Sequence, residues 1–379
     1  MINRVEPSGC TNDSLRPPTL REARLEDYQE IARLGTANSL RTQPYDEWAK
    51  MWLGGPLWPR LGRAWPIGWV LEDPQGKIVG TLMSIPAMYA FRGDEVIASA
   101  SRAWAVDVEY RGYSAWLLDE YLNHGASLCV MTTAGPMAAP LVSKLARQIP
   151  VGDWATCSRW RMGYGTIVER KLARLRVPMS AHLGNAAGVA LSLKDRLGRR
   201  QLAKLPRRYV LEQLDTFDER FDLFWKALVD CNPAALLANR SSDTLRWHFD
   251  GAARANGLWV FAASQGSSLR AYCIFVVKGE GYDRYARLVD YQTVEPEYDA
   301  LSGFLRAAIA RCAMQGIGVL ENIGRGVPKM RAADEAAPIR CSLPSWRFYY
   351  HTSDAALQTA LTSRTSWDPS TYDGDASIG

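Results

Sequence analysis

The sequence lacks several features that would fix the class of the protein at once. No apolar stretch among its 379 residues is long enough to cross a bilayer, and the N-terminal residues contain no apolar segment of the signal-peptide kind. Seven cysteines without a CxxC pair and only four histidines give no recognisable metal-ligand cluster or disulfide framework. The net charge of +5 is too small to predict a nucleic-acid partner. We therefore expect a cytoplasmic protein without a metal, beginning with a disordered lead-in over residues 1–18.

The length of the chain predicts two domains, because single hydrophobic cores rarely grow beyond about 250–300 residues. In the first half, the turn Asp73-Pro74-Gln75-Gly76 has the residues that a tight hairpin requires. Around this turn the hydrophobic pattern predicts a helix near residues 25–34, strands over 67–72, 77–85 and 100–108, a helix around Leu117, and a buried strand over 128–132.

The second half repeats this order of elements. A helix near residues 218–229, a hairpin turning at 265–268, a strand over 286–293, a helix over 301–312 and a strand over 316–321 follow one another. Matching positions lie 187 to 192 residues apart, as in Asp73 and Gln265 or Leu117 and Phe304. This periodicity indicates two copies of one unit, which we place at residues 19–169 and 209–361.

The two predicted copies are joined by a basic segment. Residues 170–208 contain eleven lysines and arginines and one acidic residue. The segment is interpreted as a helical linker, with a basic surface for a membrane, a carrier protein or a phosphate-bearing substrate as the alternative. Residues 362–379 form an acidic tail that either docks or frays.

The stretch from Val106 to Ala115 carries the clearest chemical signal. A predicted strand ends at Val108, and Arg111-Gly112 then opens a helix whose first N–H groups form a cradle for phosphate. The stretch resembles the acetyl-CoA signature of the GNAT superfamily, V-x-P-E-Y-R-G-x-G-x-G/A between a strand and a helix. The matching residues are Val106, Asp107, Glu109, Tyr110, Arg111 and Gly112.

This resemblance implies an α/β fold of two tandem GNAT-like domains, each a mixed, mostly antiparallel central sheet flanked by helices. It also implies that acetyl-CoA, a longer acyl-CoA or a carrier-protein thioester binds at the first copy. The implied donor-binding residues are Val106, Val108, Arg111, Gly112, Tyr113, Ser114 and Ala115. The two later glycines of the signature are Ser114 and Trp116 here, which indicates an altered, blocked or re-aimed pocket.

The second copy lacks the Arg-Gly loop and resembles the degenerate copies of Fem aminoacyltransferases and N-myristoyltransferase. It has Asp290 and Glu321 on apolar strands, and we expect these carboxylates to take the proton of an acceptor amine. The alternative is that backbone or arginine partners satisfy them. His248, in an aromatic run, is a third candidate base, with a purely structural role as its alternative.

The combined prediction is an N-acyltransferase that moves an acyl group from a CoA or carrier-protein thioester to a small-molecule or peptide amine. The motifs L-R-W, W-x-F-Y-Y and D-P-S-x-x-D-G-D, which begin at Leu245, Trp346 and Asp368, resemble GNAT-like proteins of bacterial polysaccharide and lipid modification. Two other functions stay open: aminoacyl transfer of the Fem kind, and a non-catalytic protein that binds an acyl donor.

Overall fold

The computed structural model describes residues 16–162, 202–295, 298–343 and 346–378. Most of the predicted lead-in and residues 170–201 of the predicted helical linker lie outside these ranges. Residues 202–208, the end of that linker, are irregular. Among the described residues, no helix is both long and apolar enough to cross a membrane.

The described part of the first half has seven strands and five α-helices. The strands are β1 Thr19–Glu22, β2 Gly68–Glu72, β3 Ile78–Phe91, β4 Asp94–Val106, β5 Leu128–Ala134, β6 Arg147–Gln148 and β7 Asp153–Arg161. The helices are α1 Tyr28–Ala37, α2 Tyr45–Leu53, α3 Trp58–Leu61, α4 Ser114–Asn123 and α5 Ala139–Leu145.

The described part of the second half supplies eight strands and five helices. The strands are β8 Val210–Leu214, β9 Leu237–Ala238, β10 Leu258–Gln265, β11 Ser268–Lys278, β12 Tyr285–Thr293, β13 Val319–Arg325, β14 Ile339–Ser342 and β15 Arg347–His351. The helices are α6 Arg220–Cys231, α7 Ser242–Arg254, α8 Ala300–Met314, α9 Arg331–Ala336 and α10 Ala355–Ala360.

Local chemistry explains why both predicted hairpins form. The Asp73 carboxylate accepts hydrogen bonds from the N–H groups of Gln75 and Lys77, both at 2.9 Å, and Gly76 adopts φ 81°. In the second hairpin Gly266 has φ 61°, a conformation that glycine adopts without a steric penalty. The helical spacing predicted for residues 301–312 is also confirmed, because α8 buries Leu301, Phe304, Leu305, Ala308 and Cys312.

The predicted strand lengths were wrong in two places. Strands β3 and β4 form one long hairpin, paired from Gly80 with Val106 to Phe91 with Asp94, because the chain turns at Arg92-Gly93 rather than ending near residue 85. Strand β13 continues to Arg325, so Glu321 lies in the middle of the strand and not at its end.

The two sheets have the same ladder. In the first, β1, β2, β3 and β4 are antiparallel neighbours, and β4 pairs in parallel with β5. In the second, β8, β10, β11 and β12 are antiparallel neighbours, and β12 pairs in parallel with β13. The expected pair of mixed, mostly antiparallel sheets flanked by helices is therefore confirmed.

The sheets exchange strands at one edge. Strand β15, from the second half, lies between β5 and β6 of the first sheet. Strand β7, from the first half, lies between β13 and β14 of the second sheet. The proposed division at residues 169 and 209 thus separates the chain into halves, but each half supplies a strand to the sheet of the other.

The acidic tail docks, as one of the two sequence alternatives requires. Ser370, Thr371, Tyr372, Asp373, Ser377 and Ile378 are all buried. The Thr371 hydroxyl donates to the carbonyls of Leu288 and Val289 on β12, and the Tyr372 hydroxyl donates to the carbonyl of Asn239. Further along, Thr132 of β5 contacts Asp375. Residues 370–378, the docked tail, therefore contact both sheets.

Candidate functional site

The parallel strand pair of the first sheet opens after three residues. Strands β4 and β5 pair only from Ala98 with Leu128 to Ala100 with Val130, and their C-terminal parts then separate. Beyond that point β4 carries a bulge in which Ala103 has φ 51°, so an extra residue interrupts the pairing with β3. A bulge leaves a backbone group outside the ladder and re-aims it. The gap between the separated strands, which we call the first opening, can therefore admit a ligand to a free backbone edge.

The residues predicted to bind the donor lie together where β4 ends. Val106 is buried, and Val108, Arg111 and Gly112 are exposed. Residues Val108–Tyr113 form a 3₁₀ turn that runs straight into α4. The N–H groups of Val108 and Glu109 are the first of this helical segment, and no carbonyl within it can accept from them. Within the described chain, the exposed Arg111 guanidinium makes no hydrogen bond or ion pair, so it is available to an anion.

The two substituted glycine positions are occupied by structural contacts. The Ser114 hydroxyl donates to the carbonyl of Arg111 at 2.7 Å, and the Ser114 N–H donates to the same carbonyl. Trp116 packs edge-on against Tyr113, with 4.9 Å between ring centroids. Ala115 is half-buried. The phosphate cradle is thus narrower than the glycine-rich signature provides, and Arg111-Gly112 is its accessible part.

The docked tail places a carboxylate at the first opening. Asp375 Oδ1 lies 3.4 Å from Oγ1 of Thr132 on β5, and its Oδ2 lies 3.8 Å from the Arg102 guanidinium on β4. Burial raises the pKa of Asp375, and the nearby Arg102 opposes that rise. Asp375 is therefore held between the two separated strands by long contacts.

Basic side chains hold the backbone of the tail beside Asp375. Arg102 donates to the carbonyls of Asp375 at 3.2 Å and Ile378 at 3.3 Å, and also to the side chain of Gln43. Lys278 donates to the carbonyl of Ala376 at 3.1 Å. Burial, assisted by neighbouring arginines, lowers the pKa of Lys278 to about 8. The end of the tail is thus fixed from both sheets.

A cavity of about 530 Å³ lies between the halves of the chain and reaches the first opening. Its walls are mostly apolar and include Leu57, Ile85, Met88 and Trp247, and Ala100 at the strand separation lines it. Tyr372, Gly374 and Ile378 of the docked tail, together with His248, complete the lining. The value of about 530 Å³ counts all the empty space of the cavity, including space that is open to solvent.

A larger groove of about 1280 Å³ adjoins the cavity, and both are lined by Gly55, Pro56, Trp247 and Ile378. The groove carries charged side chains that pair with one another. Arg254 contacts Glu47 at 3.3 Å and Asp250 at 3.0 Å, and Arg246 contacts Asp243 at 2.6 Å. The groove is thus a polar entrance to an apolar cavity.

Asp290 lies at the matching point of the second sheet, where β12 also bulges. It is fully buried, and its oxygens accept from Arg240 at 2.8 and 3.1 Å, from Tyr272 at 2.8 Å and from Ser370 at 2.8 Å. Burial alone would raise the pKa of Asp290, but the Arg240 guanidinium lowers it to about 2. These contacts are the arginine partners that the structural alternative for Asp290 requires.

Glu321 also has arginine partners. It is buried on β13, and its carboxylate accepts from Arg159 of β7 at 2.9 Å and from Arg287 of β12 at 2.7 and 2.9 Å. Its contacts join three neighbouring strands of the second sheet, one of them an exchanged strand. The structure therefore brings neither Asp290 nor Glu321 to the first opening.

His248 lines the cavity from α7 and is buried. Its Nε2 lies 2.6 Å from the Ser377 hydroxyl of the docked tail, and its ring contacts that of Tyr372 in a tilted arrangement, with 4.3 Å between centroids. Burial lowers the pKa of His248 to about 3, so the imidazole is neutral at ordinary pH. The catalytic roles predicted for His248, Asp290 and Glu321 stay predictions.

Sequence reasoning missed Asp375, Arg102 and Arg240. Asp375 was part of a motif, but its partners Arg102 and Thr132 are more than 240 residues away along the chain. Arg240 precedes a helix in an otherwise unremarkable stretch, and nothing local indicates its buried position. Among the described residues, no group of three or more histidine, cysteine, aspartate or glutamate side chains could hold a metal ion.

Comparison with known proteins identifies structural neighbours of the fold, but finds no match by sequence. No protein-family model matches the sequence, and no curated protein matches it. A GCN5-related N-acetyltransferase from Anabaena variabilis is similar in structure, with a TM-score of 0.53 and 13% identity over 89% of this chain and 73% of that chain. N-myristoyltransferase from Saccharomyces cerevisiae with bound myristoyl-CoA gives a TM-score of 0.50 and 12% identity over 91% of this chain and 86% of that one. A probable N-acyltransferase from Enterococcus faecalis gives a TM-score of 0.52 and 10% identity over 89% of this chain and 73% of that chain. The expected tandem GNAT-like α/β fold is therefore confirmed.

Proposed function

We propose that this protein is an N-acyltransferase that works at the first opening. The observation that carries the proposal is the separation of β4 and β5 after Ala100, next to the bulge at Ala103 and at the inner end of the cavity. A thioester carbonyl in this gap would meet backbone N–H groups freed by the bulge, which can stabilise the charge that develops on its oxygen. The fold of known N-acyltransferases supports this assignment.

The donor we propose is an acyl-CoA, with acetyl-CoA and longer chains as candidates. The exposed Arg111, Gly112 and the start of the helical segment after β4 would bind its phosphates. Val106 and Val108 flank this point, and Tyr113, Ser114 and Ala115 form its helical side. A thioester on a carrier protein would use the same opening and reach it without a pyrophosphate.

The acceptor we propose is an amine on a small molecule or a peptide that enters through the groove and the cavity. The cavity walls are apolar, so the part of the acceptor that fills the cavity is apolar or aromatic. The paired charges of the groove suit a polar group that remains near solvent. Amines of polysaccharide or lipid precursors are the first candidates, because the motifs at Leu245, Trp346 and Asp368 resemble proteins of that type. We place the activity in the cytoplasm.

Donor binding can be measured by calorimetry and thermal shift with acetyl-CoA, a long-chain acyl-CoA and free CoA. Wild-type protein should bind at least one thioester, and Arg111→Ala should weaken that binding about tenfold, by loss of a charge-assisted phosphate contact. Arg331→Ala, which removes an exposed arginine on α9, is the matched control and should bind normally. Transfer itself is followed as free thiol released in the presence of a panel of amines. A protein that binds no thioester, including one presented by a carrier protein, would contradict the proposal.

A non-catalytic donor-binding protein is the second candidate function. The contacts of Ser114 and Trp116, which narrow the phosphate cradle, favour it. Tight thioester binding without acceptor-dependent thiol release from any amine would support this function over the first.

A further inference from the structure

Building on the proposed function, we infer that Asp375 in the docked tail is the general base that accepts the proton of the acceptor amine. The inference rests on where Asp375 lies, how loosely it is held, and which groups surround it. If the protein transfers no acyl group, this inference fails together with the proposed function, whereas a fully active Asp375 variant overturns the inference alone.

Asp375 is partly exposed, and it is held differently from Asp290 and Glu321, the buried carboxylates of the second sheet. Asp290 accepts four hydrogen bonds of 2.8 to 3.1 Å, and Glu321 accepts three of 2.7 to 2.9 Å from two arginines. Among the described residues, the Asp375 carboxylate contacts Thr132 at 3.4 Å and pairs with Arg102 at 3.8 Å, and it also accepts from its own backbone N–H. A carboxylate whose lone pairs are already saturated by guanidinium groups is a poor proton acceptor, so Asp375 is the better base.

The position of Asp375 matches the point where amine and thioester must meet. Its partners Arg102 and Thr132 lie on β4 and β5, just beyond the last paired residues Ala100 and Val130. Its neighbour Gly374 lines the cavity that we assign to the acceptor. An amine that reaches Gly374 in this cavity lies one residue away from Asp375 along the docked tail.

The surroundings of Asp375 also suit a base. Burial raises its pKa, which brings its basicity closer to that of the amine, and the charge of Arg102 limits the rise so that the carboxylate can still ionise. Lys278 on β11 lowers the pKa of Asp375 in the same way as Arg102, and the charge of Asp375 in turn contributes to the raised pKa of Tyr121 on α4. The burial of Asp375 in the fold therefore explains why its pKa lies above the ordinary value.

The acceptor nitrogen loses two protons during the transfer. Asp375 accepts one proton from the ammonium form of the acceptor, and the freed nitrogen lone pair forms the N–C bond to the thioester carbonyl. The C–S bond breaks with its electron pair on sulfur. The second proton that nitrogen loses ends on the thiolate, which leaves as a thiol, and Asp375 returns its proton to solvent.

The test compares Asp375→Asn with Asp373→Asn in the full-length chain. Asp373 is a buried carboxylate of the same tail that accepts a hydrogen bond from the Ser370 N–H at 2.7 Å, a bond that asparagine can keep. The donor for these assays is the acyl-CoA that wild-type protein binds, and the readout is acceptor-dependent release of CoA thiol. Asp375→Asn should lower kcat at least 100-fold with an unchanged donor Kd, whereas Asp373→Asn should stay within threefold of wild type.

Two further measurements distinguish a base from a structural residue. The kcat of wild-type protein should fall at low pH as Asp375 is protonated, and Asp375→Glu should retain partial activity with this acid limb displaced. Asp375→Asn within threefold of wild type, or identical acid limbs in wild type and Asp375→Glu, would overturn the inference. If Asp375→Asn does not fold, the comparison of the two pH profiles decides.

Discussion

The two sheets of this protein share strand order, a parallel pair that separates and a bulge beside the separation, but their openings are used differently. At the first, Asp375 is held by long contacts next to an apolar cavity. At the second, Arg240, Tyr272 and Ser370 saturate Asp290, and the hydroxyl of Thr371 bonds to the carbonyls of the bulge.

The docked tail accounts for much of this difference. Its first part satisfies the polar groups of the second sheet, and its later part leaves a carboxylate with weak partners at the first. A repeated architecture can thus keep one opening for chemistry and convert the other into an anchor.

Cutting the chain between the sheets should show how far the halves depend on each other. Fragments 1–181 and 182–379 each lack a strand that lies inside their own sheet, β15 in one case and β7 in the other. Each fragment alone should therefore be unfolded or aggregated, because the missing strand leaves backbone groups unpaired. Co-expressed, they should form a stable one-to-one complex by gel filtration. Two fragments that each unfold cooperatively as separate monomers would contradict the importance of the exchange.

Removing the anchor of the second opening should cost about 3–5 kcal/mol. Arg240→Met leaves the fully buried Asp290 carboxylate without its guanidinium partner, and an uncompensated buried charge is strongly destabilising. The free energy of unfolding from urea denaturation measures the loss. Arg331→Met, which removes an arginine that is 81% exposed, is the control and should leave the midpoint unchanged. Equal midpoints for the two variants would show that the pair is dispensable.

The stability should depend on pH through His248, which joins the cavity wall to the tail. Its pKa is about 3 in the folded protein and about 6.5 when unfolded, so the unfolded state binds the extra proton between these values. This contribution is fully present above pH 6.5 and is lost, by up to about 1.4 kcal/mol per pH unit, as the pH falls towards 3.

Urea denaturation of wild type and His248→Gln at pH 6.5 and 4.5 tests this dependence. Glutamine can keep a hydrogen bond to Ser377 and does not titrate, so the variant should lose about 2 kcal/mol less than wild type over this interval. Parallel pH curves for the two proteins would show that His248 is not neutral and buried.

Filling the cavity should have the smallest effect and should act on the acceptor alone. Ala87 lines the cavity on β3, and Ala87→Phe should raise the acceptor KM about tenfold by excluding its apolar part. The Kd of the acyl donor should not change, because the residues proposed to bind it lie at the start of α4. A rise in donor Kd with no change in acceptor KM would reverse our assignment of the two sides.

The sequence predicted the order of the helices and strands, but not the exchange of β7 and β15 between the two sheets. Both hairpins were predictable because Asp73-Pro74-Gln75-Gly76 and Gln265-Gly266 encode their own turns, and α8 because its buried face is set by local spacing. The positions of β7 and β15 depend on pairing between residues 158 to 222 apart in the sequence, which no local pattern records. The donor side was found through Arg111-Gly112, which is contiguous in sequence. The proposed base, Asp375, could not be found from the sequence, because Asp375, Arg102 and Thr132 meet only in the folded chain.

The strand exchange has a consequence for how such a chain could arise. A single ancestral unit that gave its last strand to the sheet of a second copy and received one in return would have been an intertwined homodimer. Fusion of two such genes would preserve every strand pairing while making the partners unequal in sequence. The sequence of each sheet could then diverge independently, because the two halves would stay covalently linked.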